Sequence, residues 1–315
     1  MSDTFLSLDL GGTKLLVGEV NVKGEILDYK RYSTGYINQG SALEIIKSSI
    51  DDYIQSVGWA TGSKPKAMGI GLIGRIDNEN GIWHQIDIDR TQPLELAKEL
   101  SLVYDMPCYI DNDVKSATRA ERLFGYGQKS DNFIYINIGT GIAAGFVVNG
   151  KIVRGSHYNA GEVGHINVGV GIGLECVCGR KDCVELVASG MGFDKSARSL
   201  KSKYSTKLAV PCDEKVRVDV REVYRLYNAG DELCIFLVNN AVEAIAQLIM
   251  NLVRVSDPDT VVLGGGIVAN DFLYPKILDK LNKHTMRFVS NGVVLTKLDP
   301  NFIGLIGAAA VAMNK

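Results

Sequence analysis

Apolar and polar positions alternate on two different periods along this chain. Short apolar runs bounded by Gly, Asn or Asp come first: "TFLSLDL", then an apolar strand between a glycine–threonine loop and the turn "NVKG", then a further strand after that turn. Runs of this length and punctuation predict strands joined by tight turns. Beyond them, Leu43, Ile46, Ile50, Tyr53 and Val57 recur at helical spacing, and Ser41 with Glu44 reads as a capping box at the start of that helix. "KAMGIGLIG" and "MPCYID" read as buried strands, and "VKSATRAERLFG" as a helix ended by Gly125. "DELCIFLVNNAVEAIAQLIMNLVRVSDP" predicts a long, largely buried helix stopped before Pro258, and "FIGLIGAAAVAMNK" an Ala-rich final helix. Strands alternating with helices make the class α/β. The polar stretch around 201–221 reads as a surface excursion.

One pattern occurs twice. "DLGGTKLLVGEVNVKGEIL" (9–27) is echoed by "NIGTGIAAGFVVNGKIV" (137–153). Each has a strand ending in Asp or Asn, a glycine–threonine loop, an apolar strand, and an Asn/Gly turn that tolerates positive φ. Two copies imply two related lobes. Glycines let backbone N–H groups approach an anion closely, and Thr13 and Thr140 add hydroxyls. The bland alternative is a pair of ordinary hairpins. Neither loop fits GxxxxGK[ST], and neither opens a helix as a dinucleotide-binding GxGxxG does. "DTVVLGGGIV" (259–268) adds a third glycine loop after a buried strand.

Composition narrows the class without changing it. The 315 residues are 46% hydrophobic and 22% charged, with net charge −2. That is enough for two domains with an ordinary core, with no basic field for nucleic acid or an anionic membrane. No basic and apolar leader is visible at the start, and no uninterrupted apolar run reaches spanning length. A cytoplasmic protein with reduced thiols is the expectation.

That expectation sharpens the meaning of the cysteines. Three of the six fall in "CVCGRKDC". With His165, Cys176, Cys178 and Cys183 make a complete Cys3His set for structural zinc, with no open position for water activation. The competing reading is three thiols buried as small hydrophobes. Cys108, Cys212 and Cys234 read as structural. Glu162 and His165 lie in "NAGEVGHI", and folding of the cysteine cluster would bring Glu185 near His165. In "YIDNDVKSATRAE", Asp111, Asn112 and Asp113 mark the end of a strand and the start of a helix, where open α/β sheets place ligands. Asp113 is either a general base or the helix N-cap.

Taken in order, "DLGGTK", "IDNDVKSATRAE", "IGTGIAAG", "AGEVGHINV", "CVCGRKDCVE" and "VVLGGGIV" resemble the ROK family. That family contains sugar kinases and sugar-responsive repressors of the actin-like ATPase superfamily. The resemblance covers essentially the whole chain. It implies two actin-like (ribonuclease H-like) lobes with a nucleotide and sugar cleft between them. Residues 1–113 would form the first lobe, joined by the final helix 302–315, and 114–301 the second, with a zinc-binding loop. It implies ATP-dependent phosphorylation of a hexose or hexose derivative, at O6, with Asp113 as general base. Asn112, Glu162, His165 and Glu185 would bind sugar hydroxyls. Asp9 would orient Mg²⁺ through water. Gly11, Gly12, Thr13, Lys14, Gly139, Thr140 and Gly141 would hold the phosphates of ATP, and Gly265 and Gly266 the adenosine. A homodimer is implied as well.

Three positions depart from the family pattern. "GLIGRID" replaces a Gly-Pro turn. "HQIDIDRTQPL" lacks a sugar-contacting Asn, for which Asp87 or Asp89 would have to substitute. Asp182 stands where a glycine usually precedes the last zinc cysteine. The alternatives to a kinase are a sugar-sensing regulator and a non-catalytic sugar-binding protein. With the first strand expected within a few residues of Met1, an N-terminal DNA-binding domain is not expected.

Overall fold

The computed structural model describes residues 3–313. In chain order the elements are β1 (Thr4–Leu10), β2 (Lys14–Asn21), β3 (Ile26–Ser33), α1 (Gln39–Ser56), β4 (Ala67–Leu72), β5 (Arg75–Asp77), β6 (Ile82–Gln85), α2 (Leu96–Tyr104), β7 (Cys108–Asn112) and α3 (Asp113–Phe124). There follow β8 (Phe133–Ile138), β9 (Ile142–Val148), β10 (Lys151–Ile152), α4 (Val184–Ala188), α5 (Gly190–Leu200), α6 (Val220–Asn228), α7 (Glu232–Ser256), β11 (Thr260–Gly264), α8 (Tyr274–Lys280), β12 (Val293–Leu295) and α9 (Ile303–Met313).

The elements form two compact units. Among the described residues the first comprises 3–129, Ile152–Ala160 and 297–313, and the second Ser130–Lys151 and Gly161–Thr296. Each holds one five-stranded sheet, and the two sheets have like topology: β3-β2-β1-β4-β7 and β10-β9-β8-β11-β12. In both, an antiparallel hairpin is followed by strands parallel to its first member. The repeat seen in the sequence is thus a repeat of hairpin plus parallel extension.

In the first unit, Leu6, Leu8, Leu10, Ile46, Ile50, Tyr53 and Trp83 form one buried cluster, and Phe5, Leu16, Val20, Leu305 and Ala309 another. Gly69 of β4 permits the second packing, since a Cβ there would sit 1.9 Å from the Ala308 carbonyl oxygen. The core of the second unit is built on Ile134, Ile136, Ile138, Leu237, Ala241 and Leu248.

Two expectations need correcting. The first unit extends past Asp113 to Lys129. The reason is α3, whose Ser116 backbone lies so close to Gly307 of α9 that a Cβ there would come within 2.4 Å. The capping box of α1 uses Asn38 and Ser41, not Ser41 and Glu44. Asn38 has the extended backbone of an N-cap, whereas Ser41 is already inside the helix and returns the bond to the Asn38 N–H; Glu44 instead lies 3.7 Å from Lys47. Among the described residues one helix, α7, is long and apolar enough to cross a membrane, and 61% of its most apolar window is buried within the structure.

Candidate functional site

In the first unit the β1–β2 turn closes through a Gly11 N–H to Lys14 carbonyl bond of 2.9 Å. A Cβ on Gly12 would meet nothing within 4 Å, so this face of the loop is open to a ligand. Asp9, at the end of β1, has its carboxyl beside Gly304 at the start of α9. Desolvation raises its pKa to about 6, against the opposing pull of the Lys14 ammonium. A buried carboxylate of this kind is stabilised by a nearby cation.

At the end of β7 the three polar residues divide three tasks. Asn112 is the N-cap of α3, its Oδ1 accepting from the Val114 and Lys115 N–H groups at 3.1 and 3.2 Å. Its Nδ2 donates to the Gly74 carbonyl at 3.1 Å. Both ends of the amide that was expected to meet sugar are therefore engaged by the protein. Asp113 is the first residue of α3 and accepts from the Val114 N–H at 2.9 Å. Asp111 is fully buried and forms a two-pronged ion pair with Arg154, at 2.8 and 2.7 Å. Asp87 is held by Arg90 and by the Asp89 and Arg90 N–H groups of its own turn. Its acceptor positions serve that turn, and Asp89 is exposed.

In the second unit the β8–β9 turn closes by a Gly139 N–H to Gly141 carbonyl bond of 2.9 Å. Gly139 and Thr140 accept from the Gly190 and Met191 N–H groups at the start of α5, at 2.8 and 3.1 Å. The Arg217 guanidinium donates to the Thr140 hydroxyl at 3.4 Å. Glu185 accepts from the Ile142 N–H at 2.9 Å, and its Cβ would lie 3.3 Å from a Cβ on Gly164. Glu185 thus bridges the glycine loop and the neighbour of His165. Glu162, one turn earlier, is exposed. Gly265, at φ +91°, packs on the Ile138 backbone, whereas a Cβ on Gly266 would meet nothing within 4 Å.

The donor atoms of His165, Cys176, Cys178 and Cys183 all lie within 4.8 Å of one another. Cys176 Sγ is 3.3 Å from His165 Nδ1, and the Cys178 and Cys183 sulfurs are 3.5 Å apart as free thiols. The edge of a zinc–thiolate tetrahedron is about 3.8 Å, so the four donors fit zinc. The Arg180 backbone N–H holds the Cys178 thiol below its ordinary range, while burial pushes Cys183 up to about 12. Asp182, at φ +52°, replaces the usual glycine with a purpose. Its Oδ1 accepts from the Ile172, Gly173 and Leu174 N–H groups at 3.0, 2.8 and 3.0 Å, folding the segment before Cys176. Asp is among the side chains that tolerate this backbone region.

Sequence reading missed Arg154, the Gly190–Met191 support of the second loop, and the role of Asp182. Only the second had a local signal, the small residues of "ASGMG". The partners of Arg154 lie too far along the chain to be seen from its neighbours.

Twin sheets of like topology, each opening in a glycine–threonine hairpin, define a protein of the actin-like ATPase fold. The chain belongs to the ROK family, which it matches over residues 5–315. It is 30% identical over 93% of its length to a glucokinase of Halalkalibacterium halodurans, covering 89% of that protein. It is 26% identical over 99% of its length to the N-acetyl-D-glucosamine kinase of Haemophilus influenzae, covering all of it. The crystal structure of a ROK hexokinase from Thermus thermophilus superposes with a TM-score of 0.76 at 26% identity, over 98% of both chains.

Proposed function

We propose that this protein transfers the γ-phosphoryl group of ATP to a hydroxyl, O6, of a hexose or hexose derivative, with Asp113 as general base. The observation that carries the reading is the division of labour at the end of β7. Asn112 caps α3, so the helix does not require Asp113 as its cap. A carboxylate at this strand end can accept the proton of an attacking hydroxyl. The named kinases among the relatives support the reaction class.

The open face of Gly12, and Gly139, where a Cβ would meet only the Asn137 amide at 3.6 Å, are the proposed phosphate-contacting surfaces, with Thr13, Thr140 and Lys14 adding donors. Gly266 is the proposed adenosine contact. Glu162, His165 and Glu185 are the proposed sugar ligands; His165 Nδ1 faces the thiols, which leaves Nε2 for a hydroxyl. Mg²⁺, when bound, neutralises charge on the transferring phosphate, and Asp9 would hold its water shell. Zinc, held by His165, Cys176, Cys178 and Cys183, would fix the fold of the segment that carries them.

An ATP-consumption screen over hexoses, amino sugars and N-acetylated sugars tests the reading. Sugar-dependent ADP release, with the phosphate on O6 by NMR, is expected. Sugar binding without turnover on any member would replace the kinase with a sensor or binding protein.

A further inference from the structure

Residues 152–160 leave the second sheet and join the first unit. There they form a compact loop, closed by an Ala160 N–H to Arg154 carbonyl bond of 3.0 Å and a Tyr158 N–H to Gly155 carbonyl bond of 3.3 Å. The loop is fastened on both sides of Asp113. Before it, Arg154 grips the fully buried Asp111 through both terminal guanidinium nitrogens, Nη1 and Nη2. After it, the buried Lys115 donates to the Tyr158 carbonyl at 2.7 Å. Tyr158 also hydrogen-bonds the Asp77 carboxylate.

We infer that Arg154 is a positioning residue for Asp113. A bidentate guanidinium–carboxylate pair fixes direction as well as distance. Asp111 already turns one oxygen back to the Asn112 N–H, at 2.9 Å. The grip of Arg154 is thereby passed to the Asp111–Asn112 peptide, one residue before Asp113. Arg119, the other cation near Asp111, approaches only to 3.5 Å through one nitrogen and cannot replace a two-pronged grip. The inference rests on the proposed role of Asp113 and adds to it the device that aims the carboxylate.

The test uses Arg154→Lys and Arg154→Ala in the full-length protein. Arg154→Lys keeps the charge and loses the fork. Its kcat on the best sugar should fall roughly 10²-fold, the scale of a small misplacement of a reacting group, while the KM for ATP stays near wild type. Methylguanidinium should restore turnover to Arg154→Ala and leave the wild type unchanged. Hydrogen exchange at residues 112–116 should quicken in Arg154→Ala and slow again with methylguanidinium. A folded Arg154→Lys protein within a few-fold of wild-type kcat overturns the inference. So does a loss of kcat matched by an equal rise in the KM for ATP. If the wild type turns over no sugar, the kinase reading fails separately. Exchange then decides whether Arg154 orders the Asp113 segment, and unchanged exchange overturns that too.

Discussion

Asn112 and Asp113 show how one residue position separates structure from chemistry. Either side chain suits an N-cap, so sequence could not assign the task. Geometry gives it to Asn112, whose Oδ1 reaches two N–H groups of α3. Asn112→Ala should therefore cost about 1 kcal/mol of stability, measured by denaturant melts. Asp77 offers a pH test. Its burial alone would raise the pKa, but hydrogen bonds from Asn80, Tyr158 and the Glu79 N–H hold it below the usual carboxylate range. A lowered folded pKa gives stability that is full above the unfolded value and lost as pH falls through the folded one. Asp77→Asn should thus lower the Tm at pH 7, and the gap to wild type should narrow by pH 3. A gap that widens on acidification would contradict this.

The hairpins and the metal segment carry the predictions at the scale of elements. A Cβ on Gly139 would approach nothing nearer than the Asn137 amide at 3.6 Å, so Gly139→Ala should fold normally. It should still raise the KM for ATP, because a ligand must come closer to the backbone than a Cβ allows. An unchanged KM would separate this loop from nucleotide. Elemental analysis should find about one zinc per chain. Chelation should speed exchange across 165–185, since metal and local folding are coupled. Asp182→Ala should release zinc faster to a chromogenic chelator, because Ile172, Gly173 and Leu174 lose their shared acceptor. The hairpins were legible in sequence because Asn149 and Gly150, both at positive φ, announce their turn chemistry. The start of α1 was misplaced because Asn38 and Ser41 supply the box that Ser41 and Glu44 also spell.

Across the whole chain, the paired sheets were legible and the unit boundary was not. The repeated hairpins are local signals, each contained in about twenty residues. The boundary depends on Gly307 meeting Ser116 and on Arg154 meeting Asp111, contacts between distant parts of the sequence. Oligomeric state belongs to this scale too. The family resemblance leads us to propose a homodimer, and light scattering at micromolar concentration should return twice the chain mass. The central claim is that this molecule phosphorylates sugar with Asp113 taking the proton. The most direct measurement compares kcat of wild type and Asp113→Asn on the best sugar, with sugar affinity and a melting curve alongside. A loss of roughly 10²–10⁴-fold in kcat is expected, with sugar binding and Tm little changed. A folded Asp113→Asn protein within a few-fold of wild-type kcat would contradict it.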